Sequence, residues 1–200
     1  TFAYDGSYEN IFENVSFQID TDWRLGFVGR NGRGKTTFLR LLLGQYPYQG
    51  KISASVDFAY FPYPVEEPER TVAEVAERLS PGRETWELER ELAGLELGGE
   101  VLDRPYGSLS HGERTKVLLA ILFLGEERFL LIDEPTNHLD LESITAVNNG
   151  LADFKGNVLF ASHDHEFIQT VANRIMEFKG GKLTDYLGTY DDFIESRRGK

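Results

Sequence analysis

A glycine-rich segment near the start of the chain constrains its fold more than any other feature. Residues 29–36 read Gly-Arg-Asn-Gly-Arg-Gly-Lys-Thr, which fits the pattern G-x-x-x-x-G-K-[ST]. The apolar residues 25–28 before it are typical of a buried strand, and residues 35–43 are typical of a buried helix that ends at Gly44. A turn between such a strand and helix directs backbone N–H groups and the positive helix end toward one point. The segment therefore predicts a loop that binds a chain of phosphates.

The residues of this loop have distinct expected roles. The ammonium group of Lys35 is expected to reach the β- and γ-phosphates of a nucleotide, and the hydroxyl of Thr36 is expected to bind Mg²⁺. A loop that only turns the chain is the alternative, and the flanking strand and helix disfavour it. The other residues of this segment that are predicted to bind nucleotide are Gly29, Asn31, Gly32, Gly34 and Thr37.

Two adjacent carboxylates follow a second strand. Residues 129–134 read Phe-Leu-Leu-Ile-Asp-Glu, an apolar run that places Asp133 and Glu134 at the carboxyl edge of the sheet, where ligands of such folds bind. Asp133 is predicted to bind Mg²⁺ directly or through water, and Glu134 to polarise the water that attacks the γ-phosphate. A pair of helix caps is the alternative, which the phosphate loop makes the weaker interpretation.

The start of a long apolar helix, predicted over residues 112–124, forms a second candidate site. Ser110 and Glu113 have the spacing of a capping box, in which each side chain accepts a backbone N–H of the other residue. The Ser110 hydroxyl and the free N–H groups around Gly112 also make an anion-binding helix start. One chain has no evident use for two anion-binding ends unless they meet across a dimer.

A histidine follows a third strand. His163 comes directly after the strand predicted over residues 158–161, at the same sheet edge as the two carboxylates. An imidazole in that position can hydrogen-bond to a γ-phosphate and respond to its loss. His165, two residues further on, is interpreted as a surface residue.

The succession of apolar segments predicts an α/β fold. Strands and helices alternate after residue 124, which is typical of a mostly parallel sheet with helices on both faces. Residues 66–124 carry Glu, Arg and Leu at helical spacing, and they predict a small helical lobe inserted in one domain that spans residues 1–200. The elements predicted outside the lobe are strands over residues 15–19, 25–28, 51–61, 129–133 and 158–161, helices over 35–43, 141–152 and 164–172, and a hairpin over 174–186.

Composition disfavours several classes of function. The chain has 33 Asp and Glu against 21 Lys and Arg, which disfavours a broad nucleic-acid surface because phosphates require clustered cations. The absence of cysteine excludes disulfides and thiolate metal sites, and it is compatible with the cytoplasmic location that we expect. No apolar run approaches the roughly 20 residues that span a bilayer, so no direct membrane insertion is predicted. Because both ends interrupt a sequence pattern, we expect a neighbouring domain.

Together these motifs resemble those of the ABC ATPases, and in particular of their ABC-F subfamily of soluble twin-cassette proteins. The string Asp-Glu-Pro-Thr-Asn-His-Leu-Asp at residues 133–140 is the most specific element, since transporter cassettes tend to differ before the final Leu-Asp. The resemblance implies a P-loop NTPase fold of the ABC type, with an N-terminal antiparallel β part and a helical lobe. It also implies an ATPase that uses ATP and Mg²⁺ and is active only as a sandwich of two cassettes.

One role implied by the resemblance belongs to residues 109–113, which match the signature that contacts the γ-phosphate held by the opposite cassette. Ser110, Gly112 and Glu113 would then bind nucleotide across the interface between a cassette and its partner cassette. The chain departs from the family pattern at His111, where Gly is usual, and the imidazole adds bulk near the phosphate.

Other implied roles concern the base, the interface and the metal. Tyr4 matches the aromatic residue that stacks on adenine, with Tyr8 as a nearby alternative, and His163 matches the switch histidine. Residues 139–140 match a loop that communicates across the dimer. The chain has Tyr63 where the family usually has a Gln that helps to hold Mg²⁺ and couples the lobe to nucleotide. A phenol has no amide oxygen, so the resemblance carries no metal ligand to this position.

These observations leave three functional hypotheses. The first is the first cassette of an ABC-F protein that acts on the ribosome, in translation or in antibiotic resistance, with residues 187–200 as the start of the interdomain linker that would reach the ribosome. The second is the ATP-binding subunit of an ABC membrane transporter, which the missing Gln disfavours. The third is a module that binds ATP only to clamp two partners, which Glu134 and His163 disfavour.

Overall fold

The fold is organised around one sheet. The computed structural model describes residues 1–20, 23–29, 34–125, 128–179 and 182–198. Within these ranges the strands are β1 (Arg24–Val28), β2 (Phe58–Phe61), β3 (Phe129–Asp133), β4 (Asn157–Ala161), β5 (Arg174–Lys179) and β6 (Lys182–Leu187). They pair in the order β2-β3-β4-β1-β5-β6, and every neighbouring pair is parallel except β5 and β6. The predicted, mostly parallel sheet is therefore confirmed, and the carboxyl ends of its parallel strands share one edge.

Helices pack against both faces of this sheet. They are α1 (Lys35–Leu42), α2 (Val72–Leu79), α3 (Thr85–Gly94), α4 (His111–Phe123), α5 (Leu141–Asp153), α6 (His165–Val171) and α7 (Tyr190–Arg198). Helix α1 contributes to the core on one face, whereas α2 to α7 contribute to the core on the other. Over the residues that the structure describes, no helix is long and apolar enough to cross a bilayer.

Strand β3 shows why the central strands form where continuous apolar runs occur. All five of its residues are buried. Phe129 and Leu131 join the core beside α1, while Leu130 and Ile132 join the core beside α4, because successive side chains of a strand point to opposite faces. A fully buried Leu or Ile side chain contributes roughly 1.5–3 kcal/mol, so the strand is stabilised from both sides. The stabilised strand ends at Asp133, which fixes that carboxylate at the sheet edge.

The segment between β2 and β3 is helical, as predicted, and local caps set its boundaries. The side chain of Thr71 accepts the backbone N–H of Glu74, whose carboxylate accepts the backbone N–H of Thr71, so α2 begins with a capping box. Two short 3-10 turns, Gly99–Asp103 and Tyr106–Ser108, lead into α4. The apolar sides of these helices form one continuous core with the sheet.

The strand prediction for residues 15–19 is wrong. No strand forms there, and antiparallel pairing among the described N-terminal residues is limited to a bridge between Phe2 and Phe12. The strand predicted over residues 51–61 shortens to β2. Both segments line one open cavity of about 380 Å³, and among the described residues no backbone hydrogen bond joins them. The apolar side chains of both segments line the same cavity. A strand also needs partners for its backbone N–H and C=O groups, and the alternation of apolar residues does not supply them.

The C-terminal residues form a hairpin at the edge of the sheet and a helix that packs on the domain. Strands β5 and β6 form the predicted antiparallel hairpin, whose Gly180 and Gly181 lie outside the described residues. In α7, Tyr190 and Phe193 are buried, and the ring of Tyr190 lies 5.1 Å from that of His165 at the start of α6. Residues 190–198, predicted as linker, therefore form a helix that packs on the domain.

Candidate functional site

The phosphate loop connects β1 to α1, as the sequence predicted. Gly34 is the N-cap of α1 and has a φ angle of +98°, in the left-handed region that favours glycine. A Cβ atom at this position would lie 2.7 Å from Cγ2 of Ile11 and 3.1 Å from Cζ of Phe12. Both the backbone turn and the close N-terminal segment therefore require glycine. Asn31 and Gly32, which are also predicted to bind nucleotide, lie outside the described residues.

Lys35 lies at the centre of the site. Its side chain is only 7% exposed, and its Nζ donates to the carbonyl of Gly29 at 3.2 Å and to Nε2 of His163 at 2.8 Å. Nζ also lies 3.8 Å from Oε1 of Glu134. Burial lowers the pKa of Lys35, and the charges of Glu134 and Asp133 oppose that shift. The ammonium group is thus held by residues that come from the ends of three different strands.

Glu134 and His163 complete this cluster. Oε1 of Glu134 lies 3.0 Å from Nε2 of His163, and Glu134 has a φ angle of +50°, which is uncommon for a residue other than glycine. Burial raises the pKa of Glu134; Lys35 lowers it and Asp133 raises it further. Burial, followed by the charge of Lys35, lowers the pKa of His163, so the neutral imidazole is favoured. The carboxyl group of Glu134 and the neutral imidazole of His163 therefore face the ammonium group of Lys35.

Asp133 has one satisfied and one unsatisfied oxygen. The residue is 9% exposed; Oδ2 accepts a hydrogen bond of 3.0 Å from the hydroxyl of Tyr60, and Oδ1 is buried without a partner. A buried carboxylate oxygen without a partner is costly unless a ligand satisfies it. Mg²⁺ prefers oxygen ligands and in nucleotide sites takes one or two from protein and the others from phosphates and water. Asp133, together with the hydroxyl of Thr36 on the first turn of α1, fits that requirement.

The described residues contain no group of three or more His, Asp or Glu side chains that could hold a metal ion by themselves. A magnesium ion at this edge of the sheet would therefore need the phosphates of a nucleotide as additional ligands, as is usual for this metal.

Tyr60 is the site residue that sequence reasoning missed. It lies opposite Leu131 in the pairing of β2 with β3, so its side chain is on the same sheet face as that of Asp133, two residues further along. Alternation within β2 indicates which of its residues share a face with Tyr60, but the contact with Asp133 also requires the register of β2 against β3. Tyr60 lies three residues before Tyr63, where the family usually has Gln.

Tyr63 itself contacts helix α4. Its hydroxyl donates to the backbone carbonyl of Leu118 in α4 at 3.1 Å, and burial raises its pKa. The side chain packs against the core that the lobe shares with the sheet. Tyr63 therefore makes a structural contact with α4. The phenol that hydrogen-bonds to Asp133 is that of Tyr60.

Tyr4 is linked to the start of α1. Its hydroxyl lies 2.6 Å from Oγ1 of Thr37, and its ring centroid lies 5.0 Å from that of Phe2 and 5.7 Å from that of Tyr46. The residue is 43% exposed, so one side of an anchored aromatic ring faces solvent. Tyr8 is fully exposed. Of the two aromatic residues considered for the base, Tyr4 is the one joined to the phosphate loop.

The signature residues lie at the start of α4. Ser110 and Glu113 form the predicted capping box, with Glu113 N–H donating to Ser110 Oγ at 3.2 Å and Ser110 N–H to Glu113 Oε2 at 2.7 Å. The other carboxylate oxygen of Glu113 accepts from Arg104 at 2.6 Å. Within the described residues, no hydrogen bond or ion pair links Ser110, Gly112 or Glu113 to Lys35. The start of α4 is thus held by its own capping box and by Arg104.

Gly112 is where α4 and α5 come closest. A Cβ atom there would overlap Oγ of Ser143 and lie 3.2 Å from its Cβ. Asp140 caps α5 by accepting the backbone N–H of Ser143 at 2.8 Å. His111 is exposed, with its ring centroid 6.3 Å from that of His138. The signature and residues 139–140 therefore form one continuous surface.

The parallel sheet, the turn at Gly34 and the Lys35 cluster define a P-loop nucleotide-binding domain. The model of the family described as "ABC transporter" matches residues 12–137, which is more than half of the chain. The chain therefore belongs to this family, whose cassettes are ATPases in general, and its resemblance to ABC ATPases is confirmed.

Individual relatives agree with this assignment. The chain is 37% identical over 93% of its length to the "Uncharacterized ABC transporter ATP-binding protein YkpA" of Bacillus subtilis, covering 36% of that protein. It is 36% identical over 96% of its length to "ATP-binding cassette sub-family F member 3" of Homo sapiens, covering 28%. Among solved structures, it matches the archaeal ribosome recycling factor aABCE1, in complex with the ribosomal stalk protein aP1, with a TM-score of 0.71 and 30% identity over 89% of this chain and 37% of that chain. The chain thus spans about a third of the length of its curated relatives.

Proposed function

We propose that the protein binds Mg-ATP and hydrolyses it to ADP and phosphate. The observation that carries this proposal is the contact of Lys35 with both Glu134 and His163, at 3.8 and 2.8 Å, beside the unpaired oxygen of Asp133. The cluster combines a cation for phosphate, a carboxylate for water and an imidazole within hydrogen-bonding distance. Such a set suits phosphoryl transfer to water.

Each side chain has a defined task in this proposal. Lys35 exchanges its contacts with His163 and Glu134 for the β- and γ-phosphate oxygens, while the turn at Gly34 directs backbone N–H groups to the same phosphates. Glu134 is thereby released to hold and polarise the attacking water. The imidazole of His163 forms a hydrogen bond with the γ-phosphate. Asp133 and Thr36 would hold Mg²⁺, which supplies charge stabilisation to the phosphates when bound.

The signature residues serve a second nucleotide in this proposal. The capped start of α4, with Ser110, Gly112 and Glu113, would meet the phosphates held by another cassette. Activity would then require two cassettes face to face, either in one longer chain or as a homodimer. The purified chain alone is expected to bind ATP and to hydrolyse it slowly, and phosphate release should rise steeply with protein concentration or with a partner cassette.

We further propose that the full-length protein acts on the ribosome in the cytoplasm, as an ABC-F translation factor or antibiotic-resistance protein. The similarity to a sub-family F member and to a ribosome recycling factor supports this. The segment that follows β6 would lead into the linker to a second cassette. Cosedimentation tests the proposal: full-length protein with Glu134→Gln should pellet with ribosomes in ATP, and absence from the ribosomal pellet contradicts it.

An ATP-binding subunit of an ABC membrane transporter is the second candidate. It is favoured by the printed name of the Bacillus relative and by a lobe groove of about 240 Å³ lined by residues that include Val65, Val75 and Leu79. A transporter cassette needs such a groove to seat its membrane subunit. Copurification of the full-length protein with a membrane subunit rather than with ribosomes would decide for this candidate.

A further inference from the structure

Tyr60 contacts the carboxylate at the metal side of the proposed site from a neighbouring strand. Its hydroxyl donates to Oδ2 of Asp133 at 3.0 Å. The parallel register of β2 and β3, in which Tyr60 lies opposite Leu131, brings the ring diagonally across to Asp133 on the same face of the sheet. The contact is therefore set by the register of the sheet.

The hydroxyl of Tyr60 is the donor in this contact, and Oδ2 of Asp133 is the acceptor. A phenol has an ordinary pKa of about 10, so it carries its proton at neutral pH, whereas a carboxylate oxygen can only accept.

The two oxygens of Asp133 have different environments. Oδ2 is occupied by Tyr60, while Oδ1 is buried and has no partner. A carboxylate can rotate about its Cβ–Cγ bond, and a hydrogen bond to one oxygen restricts that rotation. The Tyr60 hydroxyl therefore leaves Oδ1 as the carboxylate oxygen that is available to a cation.

We infer that Tyr60 is a positioning residue that orients Asp133 toward the divalent cation of a Mg-nucleotide complex. The inference rests on the proposed function, because it requires that the cation be bound with nucleotide. The phenol of Tyr60 would thus act on the metal through the carboxylate of Asp133. Tyr60 lies three residues before Tyr63, the position at which the family usually has Gln. Partners that orient a metal ligand typically contribute about 10- to 100-fold to metal affinity.

A second layer of contacts holds Tyr60. Arg40 on α1 lies beside Tyr60 and donates to the hydroxyl of Tyr46 at 3.2 Å. The ring centroid of Tyr46 lies 5.7 Å from that of Tyr4. The side chain that orients Asp133 is therefore connected through α1 to the aromatic residue proposed for the base.

Nucleotide binding at graded Mg²⁺ concentrations tests the inference. The variant Tyr60→Phe keeps the ring and removes the hydroxyl, and Tyr63→Phe is a matched control whose hydroxyl contacts α4 instead. Affinity for ATP is measured by calorimetry in EDTA and across a Mg²⁺ titration, with unfolding by urea as a check on the fold. We expect Tyr60→Phe to need about 10- to 100-fold more Mg²⁺ for half-maximal enhancement of ATP binding. Its affinity in EDTA should equal that of the wild type, as should both measurements for Tyr63→Phe.

Three results would overturn the inference in distinguishable ways. A wild-type Mg²⁺ requirement for Tyr60→Phe removes the positioning role and leaves the proposed ATP binding intact. Equal weakening of ATP binding by Tyr60→Phe in EDTA and in Mg²⁺ assigns the hydroxyl a general structural role. Absence of ATP binding by the wild type under all conditions rejects the proposed function together with the inference.

Discussion

Nζ of Lys35 lies 2.8 Å from Nε2 of His163. The first residue of α1 is thereby joined to the loop after β4, across the edge of the sheet. The pair preorganises the ammonium group in the region where phosphate oxygens are proposed to bind. Binding then replaces one hydrogen bond of Lys35 by another, so little conformational freedom is lost when the nucleotide enters.

Replacement of this ammonium tests the phosphate-loop assignment. Lys35→Ala should weaken ATP binding by about 10- to 100-fold, because a hydrogen bond to a charged group contributes roughly 1.5–3 kcal/mol. Isothermal titration calorimetry gives the dissociation constants. Lys155→Ala, which removes an exposed lysine, is the control and should bind like the wild type. Equal affinities for both variants would reject the role of Lys35.

The carboxylate next to Lys35 is predicted to act on turnover rather than on binding. Glu134→Gln should bind ATP as the wild type does and reduce phosphate release by about 10²- to 10⁴-fold, since the amide cannot act as a base. It should also trap two cassettes in a closed state, which size-exclusion chromatography with ATP would detect. The exposed Glu89→Gln serves as the control. Rapid phosphate release by Glu134→Gln would reject this carboxylate as the catalytic group.

The pKa of His163 leads to a prediction about stability and pH. In the folded protein this pKa lies below the ordinary value of 6.5, chiefly because of burial and then because of Lys35. The unfolded chain therefore binds the proton more tightly. The contribution of neutral His163 to stability is present above the ordinary value and is lost as pH falls from there through the folded-state pKa.

Urea unfolding of wild type and His163→Gln at about pH 7.5 and about pH 5 measures this effect. The free energy of unfolding of the wild type should fall more between the two pH values than that of the variant, which has no titrating group there. An equal fall in both proteins would show that His163 titrates alike in the folded and unfolded states.

The contact between α4 and α5 predicts a position-specific cost. Gly112→Ala should destabilise the fold by about 1–3 kcal/mol, because the added methyl overlaps Oγ of Ser143. Since Ser143→Ala removes that oxygen, the same substitution in its background should cost about 1 kcal/mol less. Chemical denaturation of the four proteins gives the double-mutant cycle. Additive effects would mean that the two side chains do not meet as described.

The sequence predicted the central elements well because their signals are local. Strands β3 and β4 begin and end within one residue of the predicted limits, and α1 stops one residue early, since long apolar runs, capping side chains and Gly44 fix these boundaries. The edge at which Asp133, Glu134 and His163 lie follows from the same reasoning. Because both faces of these parallel strands are buried, the polar residues that follow the strands lie together at the carboxyl edge of the sheet.

The parts that were not predicted depend on pairing between distant segments. Residues 15–19 have the alternation of a strand, but a strand also needs a neighbour at hydrogen-bonding distance, and among the described residues none forms backbone hydrogen bonds with them. The bond from Tyr60 to Asp133 likewise depends on the register of β2 against β3. Spacing within either segment carries no information about that register.

The packing of Ile11 and Phe12 against Gly34 ties the first turns of the chain to the phosphate loop. Local unfolding of the N-terminal segment would remove the contacts of Ile11 and Phe12 with the turn at Gly34. Nucleotide should therefore bind preferentially to molecules in which this segment is docked. The amide of Phe2 donates to the carbonyl of Phe12 at 2.8 Å, and the amide of Ile11 donates to the carbonyl of Phe2 at 2.8 Å. Hydrogen exchange at both amides should slow on addition of ATP. Ligand occupancy could thus be followed at the N terminus, a region that makes no proposed contact with phosphate.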